Sequence, residues 1–94
     1  MARLSPTEAQ DRLKTLRGWT IDGNAIRKPY VFGSFREAVS FVVRLAFSAE
    51  EADHHPDIAI NYKTVSLVYS THSAGGLTEK DFAGAAEADR ISWV

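Results

Sequence analysis

Residues 34–56 hold one long helical pattern set between two hairpin signals, and that placement restricts the fold more than any other feature of the chain. Ser34-Phe35-Arg36-Glu37 is a capping box, in which the Ser side chain and the Glu satisfy free N–H groups at the helix start. The pattern runs to about Ala52. Pro56 bars continuation, because the residue before a proline is pushed out of the helical region. On a helical wheel Phe35, Ala38, Val39, Val42, Leu45, Ala46 and Ala49 share one face, enough to cover a sheet. Val43 and Phe47 extend the apolar arc to one side and Phe41 to the other, leaving a narrow polar strip of Glu37, Ser40, Arg44 and Ser48. A surface helix needs an apolar stripe of about 100°, and this one is roughly twice as wide. Either the last helix of the chain packs over Val43 and Phe47, or a second copy does.

Ahead of this helix, Asp22-Gly23-Asn24 is a turn signal between strands predicted at 19–21 and 25–32. Pro29 cannot donate to a ladder, so the second strand is expected at an edge or bulge there. Behind it, 58–61 and 64–71 read as a second hairpin. Val65, Leu67 and Tyr69 point to one side of its latter strand. Thr64, Ser66 and Ser70 point to the other, with Val68 as the exception. Ser5-Pro6-Thr7-Glu8 opens a first helix through Ala9, Leu13 and Leu16, stopped by Gly18. After a Gly75-Gly76 loop, Thr78-Glu79-Lys80-Asp81 caps a last helix to about Asp89. The order is α-β-β-α-β-β-α. Hairpins instead of crossovers imply an α+β fold, a four-stranded antiparallel sheet with three helices on one face. With no linker or repeat, the 94 residues read as a single domain spanning 1–94.

Composition excludes several functions. Eleven basic residues against twelve acidic give a net charge of −1, without the basic footprint of a nucleic-acid binder. The absence of cysteine excludes disulfides, thiolate catalysis and sulfur-based zinc sites. The N-terminus lacks the apolar run of a signal peptide, and the longest apolar stretch, broken by Arg44, is too short to span a bilayer. The expectation is a soluble, cytoplasmic protein with no nucleic-acid or membrane partner.

All three histidines lie in one short segment: Glu50, then His54-His55-Pro56, Tyr62, His72 and Asp81. Histidine changes charge near neutrality and is the natural acid or base there. Antiparallel pairing of the second hairpin brings the entry of its first strand beside the exit of its second, hence His54 and His55 near His72. Asp53 and Asp57 flank the histidine pair and Glu50 lies one helical turn before it, positions from which carboxylates can fix a proton. Asp81 serves either this site or the helix dipole and cap. Three readings stay open at this point. The histidines are general acids and bases, or they cap elements half exposed, or they bind iron or zinc. The helical His-x-x-x-His spacing of many metal sites is missing, and no nucleophile elbow surrounds Ser70 or Ser73.

The spaced motif Glu50-x3-His54-His55-Pro56-x5-Tyr62-x9-His72-x8-Asp81 resembles the signature of pterin-4a-carbinolamine dehydratases. Gly18-Trp19, Phe32-x-x-Phe35, Asp53, Ser70-Thr71-His72 and Gly76-Leu77-Thr78-Glu79 extend the resemblance over nearly the whole chain. The resemblance implies dehydration of a 4a-hydroxytetrahydropterin to the quinonoid dihydropterin plus water, in tetrahydrobiopterin recycling, with no metal or cofactor. It implies catalytic roles for His54, His55 and His72. It places Glu50, Asp53, His54, His55, Pro56, Thr71, His72, Ser73, Ala74 and Asp81 in substrate binding. It further implies a homodimer or homotetramer that uses sheet edges and the long helix. Some animal members double as dimerisation cofactors for a homeodomain transcription factor, and no residue here identifies such a partner. Many members carry tryptophan where this chain has Ile58. Trp19 either supplies a ring in its place or is a buried structural residue.

Overall fold

The three helices start where side chains answer the free N–H groups of their first turns. In the computed structural model, which describes residues 2–94, Ser5 and Glu8 form a reciprocal capping box on α1 (Pro6–Leu13). Ser34 accepts from the Glu37 N–H to open α2 (Phe35–Ala52). Thr78 and Asp81 box the start of α3 (Glu79–Ser92). Between the helices run β1 (Thr20–Asp22), β2 (Ala25–Val31), β3 (Asp57–Asn61) and β4 (Thr64–Tyr69), and a 3-10 turn at His72–Ala74 precedes α3. The four strands form one antiparallel sheet in the order β1-β2-β4-β3. The α-β-β-α-β-β-α order and the α+β architecture are those expected.

Four details differ from the sequence reading. First, α1 ends at Leu13, because the N–H groups of Lys14 and Leu16 bond three residues back, to Asp11 and Leu13, and tighten the chain out of the helix. Second, β2 is interior to the sheet as a whole and is an edge, as read, only at Pro29. Pro29 pairs with Ser66 of β4, but β1 reaches only as far as Arg27, so β2 is locally unpaired on that side and the missing N–H is not needed there. Third, α3 continues past Asp89 to Ser92.

The fourth concerns the face of α2. Its buried positions are Ala38, Phe41, Leu45 and Ala49, while Phe35 and Ala46, assigned to the core face, are exposed. Phe41, placed at the margin of the arc, sits instead at its centre, 5.0 Å from the Tyr30 ring and 5.1 Å from Phe32. Tyr30 of β2 and Phe32 just after it need the largest apolar partner opposite them, and that rotates the helix. The polar strip therefore turns toward α3. Arg44 donates to the Ile91 carbonyl (3.0 Å) and lies 3.6 Å from the Trp93 ring centroid. As a result α3 does not cover Val43 or Phe47, which remain 51% and 75% exposed.

On β4 the alternation holds as read: Val65, Leu67 and Tyr69 are buried beneath the helices. At the other edge of the sheet, β3 is exposed along its whole length. Among the described residues no helix is long and apolar enough to cross a membrane.

Candidate active site

The C-terminus of α2 delivers the histidine pair. Asp53 takes the left-handed conformation (φ 51°) at the C-cap, its N–H bonded to the Ala49 and Glu50 carbonyls. The His54 N–H also returns to the Ala49 carbonyl at 3.1 Å. Pro56, buried, then holds His55 extended before β3 begins. This tight turn sends the two rings to different partners. His54 Nε2 lies 2.6 Å from Asp81 Oδ1, with the His54 side chain 13% exposed and Asp81 fully buried. The more exposed His55 ring meets the exposed Glu50 carboxylate through Nε2.

Asp81 is a hub. Its Oδ2 accepts from the Thr71 hydroxyl (2.8 Å) and from the Thr78 N–H (2.9 Å). Because the Thr71 hydroxyl donates to Asp81, the Thr78 hydroxyl, 2.9 Å away, donates to Thr71, and it also accepts from the Lys80 N–H. With Oδ2 taken by two donors, Oδ1 is left as an acceptor for His54 Nε2–H. Proton bookkeeping thus places a proton on His54 Nε2, and in the neutral imidazole that tautomer carries its lone pair on Nδ1.

The register of β3 on β4 brings the two halves of the site together. Asp57 pairs with Val68, so the residues just before β3 lie alongside those just after β4. Thr71 and Gly76 close a small loop by mutual backbone hydrogen bonds of 3.1 and 3.3 Å. Inside that loop the 3-10 turn presents His72 and Ser73 to solvent, with Ala74 half-buried. His72 was expected at the end of a strand on its polar side. It lies instead in the turn, because the strand stops at Tyr69.

Not every residue of the motif shares this environment. Tyr62 sits at φ 56° in the turn at the opposite end of the β3–β4 hairpin, away from the histidines. Asp81 has no exposed surface, and its carboxylate reaches the rest of the site through His54 and Thr71. Asp53 is exposed, and its backbone conformation is what shapes the turn. Trp19 is a buried structural residue, 4% exposed, whose indole N–H donates to Asp89. Tyr69 was read only as sharing one side of its strand with Val65 and Leu67, yet its ring stacks on His54 with centroids 5.9 Å apart and planes 20° off parallel. Its place on the buried face of β4, one turn of loop from His72, was the available signal. No cluster of three His or carboxylate side chains with metal-ligand geometry occurs among the described residues.

The sequence matches the model of the Pterin 4 alpha carbinolamine dehydratase family over residues 2–91. A Roseiflexus sp. (strain RS-1) protein named "Putative pterin-4-alpha-carbinolamine dehydratase" is 53% identical, covering 95% of this chain and 96% of its own. Among solved structures, a transcriptional coactivator/pterin dehydratase from Brucella melitensis superposes with a TM-score of 0.92. It is 36% identical and covers 96% of this chain and 98% of its own. A pterin dehydratase-like protein identified as a RuBisCO assembly factor in the alpha-carboxysome superposes at 0.66, with 25% identity over 80% of this chain and 87% of its own.

Proposed function

The chain belongs to the pterin 4 alpha carbinolamine dehydratase family, and from that premise we propose that it is a cytoplasmic enzyme that dehydrates a 4a-hydroxytetrahydropterin to the quinonoid dihydropterin and water. The observation that carries this reading is the chain His54–Asp81–Thr71, which ties the histidine before β3 to the loop holding His72.

The reaction needs a proton delivered to the departing 4a-hydroxyl and a proton removed from N5. Neither carbon nor nitrogen changes its overall oxidation balance with an outside reagent, so paired proton transfers suffice. His54, its Nε2–H directed at Asp81, offers Nδ1 as the base for the N5 proton. A carboxylate behind an imidazole stabilises the imidazolium that results. His72, exposed on the 3-10 turn, protonates the leaving oxygen. His55, steadied by Glu50, binds and orients the substrate together with Pro56, Thr71, Ser73 and Ala74. Positioned acids and bases of this kind contribute about 10²–10⁴-fold each.

The direct test follows the decay of enzymatically generated 4a-hydroxytetrahydropterin with and without the protein. Acceleration supports the reading, and an unchanged decay at equimolar protein sinks it. Treatment with a chelator is expected to leave the rate unaltered, since the residues supply proton donors and acceptors. Loss of rate restored by one divalent ion would favour a metal mechanism instead.

We also propose that the protein works as a homodimer or homotetramer. Phe35, Val43 and Phe47 leave an apolar stripe on α2 that no other element covers, and Ile58 and Ile60 add apolar side chains on the edge strand β3. Exposed apolar side chains grouped on one helix support an association face, and a bare strand edge invites pairing. Sedimentation is expected to show a dimer or tetramer, and Phe47→Glu to shift it toward smaller species. A wild-type monomer at high micromolar concentration refutes self-association.

A further inference from the structure

We infer that Tyr69 is a positioning residue for His54, holding the imidazole plane so that one nitrogen stays on Asp81 and the other faces the substrate; the inference rests on the dehydratase reading for its catalytic consequence but not for its structural content. A single hydrogen bond, His54 Nε2 to Asp81 Oδ1, fixes one atom of the ring. It leaves the ring free to swing about that bond, and such rotation carries Nδ1 off target. A second, extended contact is required to stop it.

Tyr69 supplies that contact. It is the last residue of β4, on the side of the sheet beneath the helices, and is 2% exposed. Its ring lies nearly parallel to His54, 20° between planes at 5.9 Å, an offset stack that opposes tilting. Tyr69 is itself clamped. Trp19 packs on it at 6.0 Å with the planes 49° apart. Gly84 of α3 meets its ring edge so closely that an added Cβ would come within 2.6 Å of Cε1 and 2.9 Å of Cζ. Both atoms belong to a rigid ring, so the absence of a side chain at Gly84 is what lets Tyr69 sit under His54. The pair Tyr69/Gly84 is therefore one device, built from a strand and a helix.

The ring is the working part, not the hydroxyl. That hydroxyl makes no protein hydrogen bond among the described residues, and Tyr69 helps line a cleft of about 440 Å³ between α2 and α3. Burial, with the Asp81 and Glu87 charges, pushes its pKa up to about 12. It stays protonated across the working range and brings no titration of its own to the site.

Three variants test this. Tyr69→Phe keeps the stack and is expected to retain kcat and KM within about twofold. Tyr69→Leu keeps an apolar filler without a plane. It is expected to lower kcat about tenfold with KM nearly unchanged, a part of the roughly 10²-fold that a 1 Å misplacement can cost. Gly84→Ala, which pushes the ring with minimal added volume, is expected to act in the same direction and decides the matter if the leucine variant fails to fold. The second readout is the imidazole N–H resonance of His54 in 15N-labelled protein, which needs no substrate. It should stay sharp in Tyr69→Phe and broaden in Tyr69→Leu and Gly84→Ala. Folded leucine or alanine variants with a wild-type kcat and an unchanged His54 resonance overturn the inference. If the wild type proves to have no dehydratase activity, the resonance alone still decides the positioning role, so the two failures are told apart.

Discussion

Asp81→Asn is expected to leave the protein folded and to abolish most of its dehydratase activity, a separation that follows from which donors surround the carboxylate. Oδ2 receives the Thr78 backbone N–H, a group that can only donate, together with the Thr71 hydroxyl. An asparagine must therefore place its oxygen there and its amide nitrogen opposite His54 Nε2. Two N–H groups cannot face each other, so the imidazole proton moves to Nδ1 and His54 adopts the opposite tautomer. Activity is expected to fall by about 10²-fold or more, within the range assigned to a lost acid or base. Asp81→Ala is a different experiment. It strands the Thr71, Thr78 and His54 donors in a buried place and removes half of the α3 capping box. The expected cost is about 3 kcal/mol, combining a lost cap with unpaired buried donors. For a domain of this size that lowers the thermal midpoint by roughly 12–24 °C. An asparagine variant with wild-type turnover, or an alanine variant of wild-type stability, contradicts this account of the hub.

The fold was legible because each helix announces itself at a cap. Ser5, Ser34 and Thr78 are each followed three residues later by a carboxylate, and all three open helices, although at α2 the expected reciprocal box is not formed because the Glu37 carboxylate accepts from the Gly33 N–H instead of Ser34. The hairpins were legible through Gly23 and the alternation of Val65, Leu67 and Tyr69. What local pattern could not carry was the choice among faces. The apolar arc of α2 is so wide that periodicity alone cannot say whether Phe35 or Phe41 meets the sheet; Tyr30 and Phe32, distant in sequence, decide it. Pro29 marks a local edge as read, but it could not show that the strand is interior elsewhere, since a strand interior to the sheet becomes an edge wherever its neighbour is short. In the site, the spacing of His54, His72 and Asp81 was visible, but their division of labour was not. Whether Asp81 touches a ligand or stands behind the residues that do is a question of burial, and burial is settled by tertiary packing. Tyr69 shows the limit most clearly: an aromatic on a core face is ordinarily only core, and its contact with His54 exists because β4 and the end of α2 converge.

His72→Ala offers the cleaner loss of function of the two histidine variants at the acid/base pair. His72 is exposed on the 3-10 turn, so its removal is expected to change stability by no more than about 0.5 kcal/mol, as for surface substitutions generally. Any fall in rate is then chemical. His54→Ala, by contrast, also deprives Asp81 of a donor and Tyr69 of its stacking partner, and is expected to destabilise the fold as well. Each single variant is expected to lose about 10²-fold or more in kcat, because one of the two proton transfers then falls to water. The double variant should lose little beyond the worse single one, since an acid and a base that act in the same step are not additive. His55→Ala is expected to raise KM with a smaller effect on kcat, as removal of a binding group does. The pH dependence adds a check that stability cannot mimic. The bell-shaped profile of kcat/KM should lose one limb in His72→Ala and the other in His54→Ala, which assigns acid and base directly. A folded His54/His72 double variant that dehydrates the carbinolamine at near the wild-type rate would falsify the proposed chemistry, whatever the family to which the chain belongs.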